Sequence, residues 1–128
     1  MDVRSWLEAY RVAWEEKDAD AAADLFAEDS TYRENIFEEP FAGRDGVRTY
    51  WANATSTQED VRVRMGKAFG DDDRGAAEFW TTMRNTGVEV TLSGCLLLLF
   101  DEDGRCRSLR EYWFVQPGIV EPPLEWGT

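Results

Sequence analysis

The chain has 128 residues, a length that supports one domain with a single hydrophobic core. Hydrophobic residues make up 43% of it and aromatic residues 13%, which excludes an intrinsically disordered protein. With 26 acidic and 14 basic residues the net charge is −12, so nucleic acid and anionic membrane surfaces are poor partners.

The residue types present narrow the chemistry further. There is no histidine, which excludes Ser-His-Asp and Cys-His catalysis and every metal site that needs an imidazole. Cys95 and Cys106 are the only cysteines and form no CxxC motif, so we expect free thiols. The acidic turns "GDDDRG" and "DEDG" lack EF-hand spacing, so we expect no metal, and we expect no cofactor.

The N-terminal segment and the apolar runs bear on location. No apolar run approaches the ~20 residues that span a bilayer. The start "MDVRSWLEAY" lacks the layout of a signal peptide. We therefore expect a cytoplasmic protein that is not bound to a membrane.

Two short helices are predicted first. Apolar residues recur at three- and four-residue spacing over residues 3 to 17, and Asp2 is placed to cap that helix. Asp18 is placed to cap a second helix, whose inner face would carry Ala22, Leu25 and Phe26. Residues 30 to 36 then predict a strand in which Tyr32, Glu34 and Ile36 share one face.

The segment "EEPFAGRDG" ends that strand, and a third helix carrying Val47, Tyr50, Trp51 and Ala54 follows. Alternation in "DVRVRM" predicts a strand, and further strands are predicted over residues 75 to 84, 88 to 100 and 105 to 116. We expect an α+β fold in which three helices of the N-terminal half pack on one face of a curved antiparallel sheet. Residues 1–128 would form one domain, with an irregular Pro-rich tail over residues 117–128.

The turn "DEDG" sets a register for the last hairpin. If Phe100 pairs with Arg105, then Leu96 faces Leu109 and Gly94 faces Glu111, which leaves space in front of Glu111. In the same register Cys95 faces Arg110, so a Cys95–Cys106 disulfide is not expected.

The run "CLLLLF" is apolar on both faces of its strand, so the outer face needs a cover. Cys95, Leu97 and Leu99, with Trp80 from the neighbouring strand, form the expected patch. We expect a homodimer through this outer sheet face.

The order of these elements is similar to the cone fold of the nuclear transport factor 2-like superfamily, in its SnoaL-like branch. "AEDSTYRENIFEEPFAGRDGVRTYW" and the closing hairpin "FDEDGRCRSLREYW" resemble segments of ketosteroid isomerases. The resemblance implies that Glu34 is a proton-transferring base and that Tyr10 donates a hydrogen bond to an enolate oxygen. A protonated aspartic acid completes that set in the isomerases, and Leu96 stands at its position here.

A pocket is expected on the inner face of the sheet and helices. Glu111 falls on this face by register, where it and Glu34 would divide the roles of acid and base. The alternatives are ion pairs, of Glu34 with Arg33 or Arg44 and of Glu111 with Arg84 or Arg107. The periodicity of the helices and strands places the remaining pocket residues on the same face: Tyr32, Trp14, Trp51, Phe79, Thr81, Met83, Leu96, Leu98, Leu109 and Trp113.

The sequence therefore predicts a proton-transfer enzyme of isomerase or cyclase type. Its ligand would be a small apolar carbonyl compound, with Glu34 as base and Tyr10 as donor. Two alternatives stay open. One is a non-catalytic ligand-binding or dimerisation module of the same fold, and the other is a hydratase or epoxide hydrolase.

Overall fold

The computed structural model describes residues 2–128 and begins with two capped helices. Helix α1 spans Val3–Glu15, and the Asp2 carboxylate accepts a 2.8 Å hydrogen bond from the Ser5 amide. Helix α2 spans Ala19–Asp24, and the Asp18 carboxylate accepts from the Ala21 amide at 3.0 Å. Both predicted caps are confirmed. Helix α2 is shorter than expected, however, because Phe26 already belongs to the first strand.

Seven strands and a third helix follow. The helix, α3, spans Gly43–Thr55. The strands in chain order are β1 (Phe26–Arg33), β2 (Phe41–Ala42), β3 (Gln58–Met65), β4 (Phe69–Gly70), β5 (Arg74–Asn85), β6 (Val88–Phe100) and β7 (Cys106–Pro117). The sequence did not predict the two-residue strands β2 and β4.

The strands form one curved sheet in the order β2-β1-β7-β6-β5-β3, with β4 paired to β5. Every pairing is antiparallel except that of β1 with β7, which is parallel. The α+β fold class is confirmed, and the sheet is mixed rather than wholly antiparallel. The helices cover one face, where Trp6, Tyr10, Tyr32, Leu98 and Leu109 are among the fully buried core residues.

Strand β1 begins and ends earlier than the sequence indicated. It ends at Arg33, and a turn follows in which the Asn35 side chain accepts a 3.0 Å hydrogen bond from the Phe37 amide. Ile36 lies in this turn and is exposed, so it does not share a strand face with Tyr32. Glu34 is the first residue beyond the strand.

The register of the β6–β7 hairpin differs from the prediction by two residues. Phe100 pairs with Cys106 rather than Arg105, and a bulge next to this pair inserts one more residue into β7. Leu96 therefore faces Glu111, Leu98 faces Leu109 and Gly94 faces Trp113. Because the shift is even, the predicted sheet face of each residue is preserved.

The space that was expected at Gly94 is also filled. A side chain added at Gly94 would meet the ring of Phe79 at 2.6 Å. Cys95 faces Tyr112, and both cysteines are free thiols, as expected.

The segment after Gly118 covers part of the outer sheet face. The Trp80 indole donates a 2.9 Å hydrogen bond to the carbonyl of Val120, and its ring contacts Trp126 with centroids 5.8 Å apart. The tail thus supplies a cover for Trp80, where the sequence predicted a second subunit. Within residues 2–128, none of the helices has the length and apolar character needed to cross a membrane.

Candidate active site

A cavity of about 220 Å³ lies between the helices and the inner face of the sheet. Its wall combines aromatic rings with three polar side chains, Gln58, Asn85 and Glu111. The aromatic residues are Trp14 from α1, Tyr50 and Trp51 from α3, Phe79 from β5 and Trp113 from β7. The remaining lining residues are Ala54, Val90, Leu92 and Val115.

The rings of the wall meet edge to face. Trp14 and Trp51 have centroids 5.3 Å apart at an angle of 66°, and Trp14 and Phe79 are 5.7 Å apart at 62°. The Trp14 indole is fixed because it donates a 3.0 Å hydrogen bond to the Gln58 amide oxygen. The cavity is therefore held open by rings that pack at steep angles rather than stack.

Glu111 is the acidic residue of this wall. Its residue exposure is only 8%, and its Oε1 atom accepts a 3.4 Å hydrogen bond from the Tyr32 hydroxyl. Burial, and then the negative charge of Glu34, raise the pKa of the Glu111 carboxyl to about 8, and the Tyr32 hydrogen bond opposes both effects. Glu111 therefore holds its proton at neutral pH and exchanges it slightly above.

Two tyrosines extend from Glu111 into the core. The hydroxyls of Tyr10 and Tyr32 lie 2.9 Å apart, and both side chains are almost completely buried. Burial, and then the charge of Glu111, raises the pKa of both phenols well above the ordinary value, so both stay protonated. Tyr10, Tyr32 and Glu111 form a hydrogen-bonded chain that ends at the cavity.

Glu34 occupies a separate pocket next to the cavity. This second pocket has a volume of about 260 Å³, and its wall includes Glu34, Phe37, Glu111 and Trp113. The Trp113 indole donates a 3.1 Å hydrogen bond to the backbone carbonyl of Glu34. Glu111 and Trp113 line both spaces and thus form the wall between them.

The two residues that the family resemblance named as catalytic do not line the same cavity. Tyr10 is buried in the core, where its hydroxyl contacts that of Tyr32. Glu34 is separated from the main cavity by the wall that Glu111 and Trp113 form. Of the other predicted pocket residues, the cavity wall contains Trp14, Trp51, Phe79, Glu111 and Trp113. Six others are buried but do not line it: Tyr32, Thr81, Met83, Leu96, Leu98 and Leu109.

The wall residues Tyr50 and Gln58 were not predicted as part of the pocket. Tyr50 is one of the residues of the predicted third helix, so its position was available from the helical spacing. Gln58 carried a weaker signal, as a polar residue at the start of a strand whose face is otherwise apolar. Its burial depends on Trp14, a contact between residues 44 positions apart.

The ion-pair alternatives for the two acids are not found in residues 2–128. Arg84 contacts Glu59 and Asp60 at 3.3 and 3.1 Å, and Arg44 contacts Glu28 at 3.6 Å. The Arg33 guanidinium donates to the backbone carbonyl of Glu38. In the same part of the chain, no group of three or more acidic or thiol side chains is placed to hold a metal ion.

Comparison with known proteins supports the fold. No curated protein matches the chain significantly. A hypothetical protein from Catenulispora acidiphila with a ketosteroid isomerase-like fold, solved in complex with trimethylamine, has a TM-score of 0.77 at 22% identity over 88% of this chain and 86% of its own. The epoxide hydrolase/cyclase-like enzyme SalBIII, described in pyran ring formation in the polyether salinomycin, has a TM-score of 0.77 at 20% identity over 89% of this chain and 94% of its own.

At these identities the two structures establish a shared fold. The family model for the SnoaL-like domain matches residues 4–109, which cover α1 from its second residue, the other two helices and the chain as far as Leu109 in the first third of β7. This chain therefore belongs to the SnoaL-like domain family.

Proposed function

We propose that the protein is a small-molecule enzyme that transfers a proton on an apolar carbonyl compound, in an isomerase or cyclase type of reaction. The observation that carries this proposal is Glu111, a carboxyl in the cavity wall with a pKa of about 8. A carboxylate with a pKa near the working pH is a stronger base than an ordinary one, and its acid form returns the proton readily.

The position of Glu111 supports a role in the reaction. It pairs directly across the sheet with Leu96, the residue that stands where ketosteroid isomerases keep a protonated aspartic acid. A protonated carboxyl at this point of the cone can therefore come from β7 instead of β6. The sequence did not predict this pairing, because the expected register placed Leu109 opposite Leu96.

The proposed step moves one proton between substrate and protein. The ionised Glu111 takes a proton from the carbon next to the carbonyl, and the C–H electrons move to the oxygen as an enolate. Tyr50 is the tyrosine that lines the cavity, and its phenol stays protonated because burial raises its pKa, so it is our candidate donor to that oxygen. The resulting Glu111 acid then returns the proton to the substrate.

Tyr10 and Glu34 have supporting roles in this proposal. Tyr10 acts through the hydroxyl of Tyr32 and is a positioning residue for Glu111. Glu34 contributes the negative charge that helps to keep the proton on Glu111. Its direct role as a base, which the family resemblance implies, stays a prediction that requires a substrate to extend past Trp113.

Exchange of α-protons into D2O tests the proposal with any ketone that the cavity accepts. A panel of small cyclic ketones is incubated with the protein, and loss of the α-proton signal is followed by NMR. We expect Glu111→Gln to lower the exchange rate of any accepted ketone by about 10²-fold or more. Glu102→Gln, the same change in an exposed turn, is the matched control. Full exchange by Glu111→Gln would reject Glu111 as the transferring group.

Two other functions also have observations in their favour. The seal around Tyr10 favours a ligand-binding module, and the trimethylamine complex of the Catenulispora protein is in keeping with a small-molecule role for this fold. The similarity to SalBIII favours water addition or epoxide opening, with Glu111 as acid. Epoxides in the same panel distinguish these functions, since only an epoxide-opening enzyme would consume them.

We also propose a homodimer through the part of the outer sheet face that the tail leaves open. Cys95, Leu97 and Leu99 are half-buried there, and Phe114 on β7 is 84% exposed. Sedimentation at micromolar concentration tests this, and a monomer would reject it. The cytoplasmic location stays a prediction from the N-terminal sequence.

A further inference from the structure

We propose that the cavity selects small organic cations, with the positive charge held among the aromatic rings of the wall and against the carboxylate of Glu111. This inference rests on the proposed small-molecule role of the cavity and adds the charge of the ligand. It is independent of whether proton transfer to carbon takes place.

The composition of the cavity wall is the first observation that supports a cationic ligand. Five of its side chains are aromatic, one is acidic, and none of the described residues that line it is a lysine or an arginine. The face of an aromatic ring attracts a cation, and quaternary ammonium groups are commonly held by several such rings. An aromatic wall with an acid and no base is suited to a positively charged ligand.

The absence of an ionic partner for Glu111 is the second observation in its favour. Among residues 2–128 none of the ion pairs includes Glu111, and its hydrogen-bond partner is the neutral Tyr32. The other titratable groups around it are Tyr10 on α1, Tyr50 on α3 and the acidic Glu34 after β1. A buried carboxyl group without a cationic partner holds its proton, as Glu111 does, and a cationic ligand would supply the partner that lets it ionise.

The orientation of the indoles is the third observation. The N–H groups of Trp14 and Trp113 are already bonded to the Gln58 side chain and the Glu34 carbonyl. An indole N–H edge is positively polarised and would repel a cation. Here the protein itself binds both edges, so neither is free to meet the ligand.

Size and net charge limit the ligand further. The cavity of about 220 Å³ is below the ~300 to 1,000 Å³ of sites for drug-sized molecules, so the cation is small. The net charge of −12 also favours the approach of cations over anions.

Binding should release a proton. The Glu111 acid loses its proton to solvent as the cation enters, and the carboxylate that remains pairs with the ligand. Affinity should therefore rise with pH until Glu111 is ionised in the free protein, and the number of protons released should fall to zero above that point.

Isothermal titration calorimetry with two probes of the same shape tests the proposal. Choline carries the cation, and 3,3-dimethyl-1-butanol is its uncharged carbon counterpart. At pH 7 we expect choline to bind about ten-fold more tightly than the alcohol or better. Titrations in phosphate and in the zwitterionic buffer HEPES, which differ in ionisation enthalpy and add no small organic cation, should show close to one proton released at pH 7. A second pair of buffers should show none released at about pH 9.5, where Glu111 is already ionised.

Variants separate this inference from the proposed reaction. Glu111→Gln should weaken the preference for choline, abolish the proton release and still bind the alcohol, whereas the control Glu102→Gln should keep the full preference and the proton release. Equal affinity for the two probes, no binding of choline, or choline binding without proton release would overturn the inference. The wild-type proton count decides the matter even if Glu111→Gln fails to fold. Ketone exchange that depends on Glu111 would still support the proposed function if choline failed to bind.

Discussion

Replacing Glu111 with glutamine should change the pH dependence of stability in a defined direction. The carboxyl has an ordinary pKa of 4.5 in the unfolded chain and a pKa of about 8 in the folded protein. Below pH 4.5 both states carry the proton, so the contribution of Glu111 to stability is fully present. Between the two values the unfolded chain releases the proton and the folded protein keeps it, so this contribution is lost as the pH rises.

The size of the effect follows from these two values. Relative to Glu111→Gln, the wild-type protein should lose about 1.4 kcal/mol of unfolding free energy per pH unit inside the window. The accumulated difference is roughly 5 kcal/mol, an upper limit because water entering the cavity reduces the cost of the charge. Above about pH 8 the difference should become constant.

Urea unfolding of both proteins at pH 5, 6, 7, 8 and 9 measures this difference directly. Effects of the other titrating groups cancel in the comparison, since both proteins contain them. A wild-type curve that runs parallel to the Glu111→Gln curve at every pH would refute the reasoning. It would mean that the carboxyl titrates alike in the folded and unfolded states.

Three further variants test the surroundings. Glu34→Gln should lower the pKa of Glu111, because a negative charge is removed, and the upper end of the stability window should move to lower pH. Tyr10→Phe should cost about 1 kcal/mol of unfolding free energy through loss of the hydrogen bond to Tyr32, and an unchanged stability would contradict that bond. Trp126→Ala should cost about 1 kcal/mol of unfolding free energy through loss of its contact with Trp80, and an unchanged stability would show that the tail does not pack on that ring.

Local patterns were sufficient for much of the fold. The carboxylates of Asp2 and Asp18 cap their helices as predicted, because capping depends on residues three positions apart. The bounds of β6 agree with the predicted strand over residues 88 to 100, since turn signals mark both of its ends. The strand face of Glu111 was also correct, because alternation along a strand is local.

The errors in the sheet come from one bulge and from one pairing between distant residues. The hairpin register moved by two residues, one because Phe100 pairs with Cys106 and one because of the adjacent bulge, and nothing in the turn sequence "DEDG" specifies a bulge. The parallel pairing of β1 with β7 joins segments that are about 80 positions apart. Local patterns carry no information on such a pairing.

At the site, too, local patterns predicted some features and missed others. The sequence identified Glu111 as an inward-facing acid, but its wall position opposite Leu96 depends on the bulged register. Glu34 was expected on the inner face of a strand, and the turn around Asn35 placed it beyond the strand end instead. Which of two acids lies in a cavity is decided by packing that single-sequence patterns do not contain.

The most direct test of the account is the titration of Glu111 itself. Protein labelled with 13C at the glutamate carboxyl carbon is titrated from pH 4 to pH 10 by NMR, and the Glu111 signal is assigned by its absence in Glu111→Gln. We expect a midpoint near pH 8 that moves to lower pH in Glu34→Gln. A midpoint near 4.5 would contradict the central claim that this cavity holds a carboxyl poised to exchange its proton.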